Sequence, residues 1–339
     1  MSTPDWTRAA GTGAGTGPEP GTRERPTGVG AASAAADFLR RLRDGLDEGL
    51  DPLAAAERAA TALPKTLRDS VQRMGRRMAG DYHEDEWGFD EEFAEAAYPF
   101  FEFLYEVWWR VQVEGAANVP GHGRALLVAN HSGSLFPFDA TMMAASIMKE
   151  HALPRWPRPL VLNWAFELPF LSFFMRKVGG VPASPFNATR LLEQDEIVMV
   201  FPEGVKGTGK PFSERYQLQR FGRGGFVEVA LRTGSPVVPV AVVGAEEIYP
   251  KVAESSALAR ILGAPFVPIT PTFPWLGPLG LIPLPSKWRI EYCEPVDLSG
   301  YGPEAAEDRG LMLEISEQIR ETIQAKLYEN LVKRGSAFL

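Results

Sequence analysis

The sequence has a single cysteine, Cys293, in 339 residues. One thiol excludes an intramolecular disulfide framework and a cysteine-based metal cage. Histidine is almost as scarce. His83, His122, His131 and His151 are the whole set, and no histidine-rich metal site is expected. Positive charge is not in excess. Lysine and arginine number 35 against 43 aspartates and glutamates, a net charge of −8. An acidic chain is a poor candidate for binding nucleic acid through overall charge, local basic patches aside, and no nucleic-acid partner is expected. The first 30 residues hold no apolar core of the kind a secretory leader needs. A long apolar run free of helix breakers is also missing. The stretch 261–286 is uncharged and long enough to span a membrane. It carries Pro265, Pro268, Pro271, Pro274, Pro278, Pro283 and Pro285. A spanning helix must satisfy its own backbone, and this many prolines prevent that. The stretch reads as an apolar loop, buried or dipped into a membrane interface. The expected location is cytoplasmic, peripheral to the inner face of a membrane.

What remains is the composition of a folded protein, 45% hydrophobic and 23% charged. Residues 1–30 are rich in Gly, Pro and Thr without periodicity and read as a disordered tail. Residues 33–80 are helical in pattern, with breaks near Gly49 and Pro64. Within them Leu63, Leu67, Val71, Met74 and Met78 share one face, and Lys65, Arg68, Arg73, Arg76 and Arg77 lie elsewhere. That is a basic amphipathic helix, suited either to its own domain or to an anionic membrane surface. An acidic stretch, 81–95, leads into an aromatic helix. There Phe93, Phe100, Phe101, Leu104, Trp108 and Val111 share a face, and Pro99 marks a kink or restart.

From Arg124 the texture changes. Residues 125–129, 160–162, 197–201 and 237–243 read as buried strands, and 289–292 as a weaker, alternating one. Helical patterns lie between them, near 140–149, 187–194 and 224–233. A final helix places Leu311, Ile315, Ile319, Ile323 and Leu327 four residues apart. The expected fold class is α/β, a largely parallel central sheet flanked by helices.

Two strand ends carry chemistry. Asn130-His131-Ser132-Gly133 directly follows the first strand. Ligands gather at the carboxyl ends of such strands. An imidazole there can take a proton from a hydroxyl, provided its second nitrogen has a partner. Asp139 is the only acidic residue between His131 and Lys149. At the second strand end, Phe201-Pro202-Glu203-Gly204 forms a turn expected to present Glu203 to a cleft. Lys206, Lys210, Arg215, Arg220 and Arg223 follow, a local basic cluster that suits a phosphate-bearing ligand. Gly204 to Lys210 also matches seven positions of the phosphate loop. Pro211 stands where that loop needs a hydroxyl, so an NTPase is not expected.

These blocks, in this order and closed by Val238-Pro239-Val240-Ala241-Val242, resemble the phospholipid/glycerol acyltransferase family, which includes lysophosphatidate acyltransferases. The resemblance covers roughly residues 98–300. Together with the patterns above, the expected division is a tail, 1–30, a helical N-terminal region, 31–95, and an acyltransferase domain, 96–335. It implies an O-acyltransferase that moves a fatty acyl group from acyl-CoA or acyl carrier protein to a lipid hydroxyl. His131 is then the general base and Asp139 orients it. Asn130, Ser132, Gly133, Glu203, Gly204, Lys206 and Pro239 are the implied acceptor or substrate contacts. No cofactor beyond the acyl donor and no metal are implied. The implied partners are the donor, a lipid acceptor and a membrane surface.

Three departures from the family pattern bear on chemistry. Seven residues separate His131 from Asp139, where the family usually has four. On one continuous helix that step would rise about 12 Å, so the segment must loop back for the pair to meet. Val205-Lys206 replaces the usual Thr-Arg, and lysine lacks the bidentate fork of arginine. The stretch 179–186 holds no arginine, and the next one is Arg190. The run 220–231 also resembles the diacylglycerol acyltransferase and phytyl ester synthase branches. A lysophospholipid, a diacylglycerol and a fatty alcohol thus all stand as acceptors. A non-catalytic lipid-binding protein on the same fold is the alternative. A serine hydrolase is not expected, since no Gly-x-Ser-x-Gly elbow surrounds Ser132 or Ser134.

Overall fold

The computed structural model describes residues 28–63, Arg68, 84–132, 136–262 and 266–338. Residues 1–27 and most of the basic amphipathic segment 63–78 lie outside the described residues. Two helices open the described chain, α1 (Gly28–Asp47) and α2 (Pro52–Ala60). Gly49 separates them with a φ of 84°, which a glycine adopts without steric cost.

Nine strands follow among the described residues. They are β1 (Gln112–Glu114), β2 (Ala125–Ala129), β3 (Arg158–Val161), β4 (Val181–Pro182), β5 (Ile197–Val200), β6 (Val237–Val243), β7 (Ala253–Glu254), β8 (Pro268–Ile269) and β9 (Arg289–Tyr292). Seven form one sheet in the order β1-β9-β6-β2-β5-β3-β4, and β7 pairs with β8 apart from it. All neighbours in the large sheet are parallel except β6 and β9. Parallel neighbours require crossovers, and helices supply them. After α3 (Glu91–Phe103), these are α4 (Phe138–Glu150), α5 (Pro169–Lys177), α6 (Pro185–Glu193), α7 (Val205–Thr208) and α8 (Gly225–Thr233). The chain ends with α9 (Ser256–Leu262) and α10 (Arg309–Arg334).

Both faces of the sheet are covered, which explains why its strands read as unbroken apolar runs. Along β2, Leu126 and Val128 face α6, α8 and α10. Ala125, Leu127 and Ala129 face α4 and the aromatic segment after α3. Ile315, Ile319, Ile323 and Leu327 bury the expected stripe of α10. Strand β9 is buried throughout instead of alternating. Its polar residues are partnered in place. Arg289 Nε donates to Asn330 Oδ1 at 3.0 Å, and Lys326 pairs with Glu291 at 3.0 Å.

The aromatic helix departs from its expected face. Asp90 caps α3 by accepting the Phe93 N–H at 3.0 Å. The helix then widens into a single π turn over Leu104–Trp108, closed by Trp109 N–H donating to Leu104 O at 2.8 Å. The extra residue in that turn rotates the face. Tyr105 and Trp109 are buried, while Phe100 is 46% exposed. Trp109 stacks on Trp288 with ring centroids 4.8 Å apart. No helix among the described residues is long and apolar enough to cross a membrane. The proline-rich stretch divides in two. Phe266 and Val267 are buried, whereas Trp275, Leu276 and Leu279 are exposed.

Candidate active site

Strands β2 and β5 are neighbours, so the loops that leave their carboxyl ends emerge side by side. Asn130 ends β2. Its Nδ2 donates to Val242 O at 3.0 Å and its Oδ1 accepts the Val242 N–H at 2.8 Å. The side chain thus extends the ladder to β6 by one rung and fixes where His131 begins. Phe201, just past β5, stacks on the His131 ring at 4.7 Å.

Asp139 sits in the first turn of α4, where the helix dipole and free N–H groups favour a carboxylate. Its Oδ2 lies 2.7 Å from His131 Nδ1 and also accepts the Ser132 N–H at 2.9 Å. Its Oδ1 accepts the Ala140 N–H at 2.9 Å. The seven intervening residues do loop back, and α4 starts only at Phe138. The Asp139 side chain is 0% exposed and that of His131 is 21% exposed. Three donors hold one carboxylate in one orientation. Nδ1 therefore carries the proton that Asp139 accepts, and Nε2 is left as an acceptor.

His131 opens onto an apolar cleft of about 210 Å³. Phe136, Leu160, Trp164, Leu171, Met175 and Val200 contribute to its walls. No lysine, arginine or carboxylate lines it among the described residues. Phe266, from the start of the proline-rich stretch, closes part of it.

The other expected contacts separate. Gly204 lines the cleft in a backbone conformation, φ 56° and ψ −147°, that essentially only glycine adopts. Lys206 is exposed on α7 beside it. Gly133 lies outside the described residues, as does Ser134. Asn130, Ser132, Glu203 and Pro239 are buried and do not line the cleft. For Asn130 and Pro239 the reason is strand pairing. Pro239 lies within β6, where its carbonyl accepts the Cys293 N–H at 2.9 Å. Ser132 gives its N–H to Asp139 and lines a separate cavity of about 20 Å³ with Lys210 and Glu246. Glu203, expected to face the cleft, has a side chain that is 0% exposed.

The basic cluster also disperses. Lys210 is buried between Glu203 and Glu246, so it does not offer its charge to a phosphate. Burial pushes Glu246 up to about 7, with Lys210 pulling the other way. Arg190 is committed to Glu86 and lies over the Trp87 ring. Phe201 and Gly207 are site residues that the sequence reading did not single out. Phe201 was visible in the Phe-Pro-Glu-Gly run itself. Gly207 had no signal, because its role is close approach. A Cβ there would lie 2.8 Å from Glu203 Cβ and 2.9 Å from His131 Cβ. Gly207→Ala is expected to displace His131 and lower turnover at least tenfold. Overpacking of this kind costs about 1–3 kcal/mol of stability. Steady-state kinetics beside a thermal melt would check both effects.

Residues 110–243, from the turn before β1 to the end of β6, match the family model Acyltransferase. The chain belongs to the acyltransferase family. It is 43% identical over 310 residues to an uncharacterized protein of Mycobacterium tuberculosis, a match covering 90% of this chain and 86% of that one. It is 30% identical over 149 residues to phytyl ester synthase 2, chloroplastic, of Arabidopsis thaliana, covering 42% of this chain and 21% of that one. Among solved structures it is similar to the 1-acyl-sn-glycerophosphate (LPA) acyltransferase PlsC of Thermotoga maritima. That likeness has a TM-score of 0.47 and 20% identity, covering 70% of this chain and 82% of that one.

Proposed function

We propose that this acyltransferase moves a fatty acyl group from a thioester, acyl-CoA or acyl carrier protein, to the hydroxyl of a lipid acceptor. The observation that carries the reading is the His131–Asp139 pair at 2.7 Å on the wall of an apolar cleft. Nε2 of His131 takes the hydroxyl proton as the oxygen attacks the thioester carbonyl carbon. The C–S bond then breaks, and the thiolate receives that proton back from the imidazolium. Asp139 keeps the proton on Nδ1 and stabilises the imidazolium that forms between the two transfers. The residues carry the reaction without a metal or a resident cofactor.

The acceptor is a neutral lipid, such as a diacylglycerol or a long-chain alcohol. An uncharged cleft supports this, because a phosphate buried there would lack a cationic partner among the described residues. Lys206 is exposed on α7 beside Gly204 and does not line the cleft, and Lys210 and Arg190 are engaged elsewhere. The partial similarity to a phytyl ester synthase supports it too. Substrates of this kind reside in membranes, and exposed Trp275, Leu276 and Leu279 suit contact with a bilayer surface. The test is a panel assay with labelled palmitoyl-CoA. Acceptors would be diacylglycerol, a long-chain alcohol, lysophosphatidate, another lysophospholipid and glycerol 3-phosphate. Neutral acceptors are expected to turn over at least tenfold faster than phosphate-bearing ones. The reverse order would return the acceptor to the phospholipid class. No product from any acceptor, with either CoA or carrier-protein donor, would leave the lipid-binding alternative.

A further inference from the structure

Glu203 is the carboxylate that the sequence offers to an acceptor, and the fold turns it inward. Its Oε1 accepts the His131 N–H at 2.9 Å. Its Oε2 accepts the Gln219 N–H at 2.7 Å and lies 3.5 Å from Lys210 Nζ. Lys210 Nζ in turn donates to Gln217 O at 3.1 Å and to Glu246 Oε1 at 3.2 Å. Glu246 Oε1 also accepts the Tyr216 N–H at 3.1 Å. One buried ammonium thus ties together the segment after β5, the segment after β6 and the loop 216–219 that precedes α8. The His131 backbone hangs from the first of these.

We infer that Glu203 is a positioning residue that, with Lys210 and Glu246, fixes the His131 backbone from behind and does not touch the acceptor. The inference rests on the reading of His131 as the base. Two physical points carry it. A buried carboxylate that accepts two peptide N–H groups is a charge-assisted clamp, stronger than a neutral hydrogen bond. The ammonium makes that burial affordable, since an unpaired buried carboxylate is expensive. A base also works only when its ring is held within about 0.5 Å of the productive position by its surroundings. Asp139 and Phe201 fix the ring itself. The clamp on the peptide N–H fixes the point from which the ring hangs. Gly207 approaches both residues closely enough that a Cβ would collide with each, so the backbone has no slack to take up an error.

The test uses the full chain with Glu203→Gln and Glu203→Asp. Glutamine keeps the length but sets an amide N–H₂ against a peptide donor. Aspartate keeps the charge but is one methylene too short to reach both N–H groups. In either variant that folds, kcat is expected to fall at least tenfold, with KM for the best acceptor of the panel within about twofold of the parent. A rise in KM with kcat retained would place Glu203 on the acceptor and overturn the inference. Unchanged kinetics would overturn it as well. Hydrogen exchange, read by mass spectrometry on the peptide containing His131, needs no substrate. Exchange of that amide is expected to quicken at least tenfold in both variants, and unaltered exchange would refute the clamp. His131→Ala run in parallel keeps the two readings apart. If it stays active, the base assignment fails. If it is inactive while the Glu203 variants match the parent, only the clamp fails.

Discussion

His131→Ala is expected to lower acyl transfer by about 10²–10⁴-fold, the range that a positioned general base contributes. The fold should survive. The ring is partly exposed, and its loss removes one stack on Phe201 and one partner of Asp139. Asp139 still accepts the Ser132 and Ala140 N–H groups, so its buried charge is not stranded. A melting temperature close to the parent's, measured beside the rate of acyl transfer from labelled palmitoyl-CoA, separates loss of chemistry from loss of structure. Activity within tenfold of the parent would remove His131 from the base role.

Asp139→Asn is expected to act almost as strongly, by about 10²–10⁴-fold in kcat, through the tautomer of a ring it does not replace. Every group around this carboxylate donates. His131 Nδ1 and the Ser132 N–H approach Oδ2, and the Ala140 N–H approaches Oδ1. An amide offers one oxygen and one N–H₂. With the oxygen toward Ala140, the N–H₂ faces Nδ1 and forces the ring proton onto Nε2, where it blocks proton removal. With the oxygen toward Nδ1, the N–H₂ faces the Ala140 N–H and leaves a buried donor unsatisfied, at a cost of about 1–3 kcal/mol. The expected result is therefore a fall in kcat with little change in KM, together with a lower urea midpoint. Parent-like kcat would show that Asp139 does not set the proton on His131.

The strands that stood out most plainly were those with nothing but apolar residues, although Arg289–Tyr292 was legible as a weaker one. Residues 125–129, 197–201 and 237–243 stood out because a sheet covered on both faces needs no polar alternation, and only Phe201 falls outside the strands observed. Strand β3 begins two residues earlier than its apolar run suggests, because Arg158 is buried and paired with Asp85 at 2.7 Å. No local pattern announces a buried arginine whose partner is 73 residues away. The short strands β1 and β4 fell below what periodicity can detect. The rotated aromatic face was hidden for another reason, since a π turn has no sequence signature that a helical wheel would notice. At the site, the order of the blocks was legible and their depth was not. Glu203 and Lys210 look like a surface turn with a free cation. They become an interior clamp only when Glu246, from the end of another strand, arrives beside them.

Helix α4 carries two jobs on consecutive residues. Asp139 faces the imidazole, and Ala140 faces the cleft. Wall and alignment are thus parts of one rigid body. A chain too bulky for the cleft cannot push Ala140 aside without carrying Asp139 with it, and the misfit is then felt as poor proton transfer. A chain that leaves the wall undisturbed leaves the proton on Nδ1 where the reaction needs it. On the proposed reaction, selection among lipid chains is written into turnover as well as into occupancy, and an ill-fitting lipid acts as a slow substrate before it acts as a weak ligand.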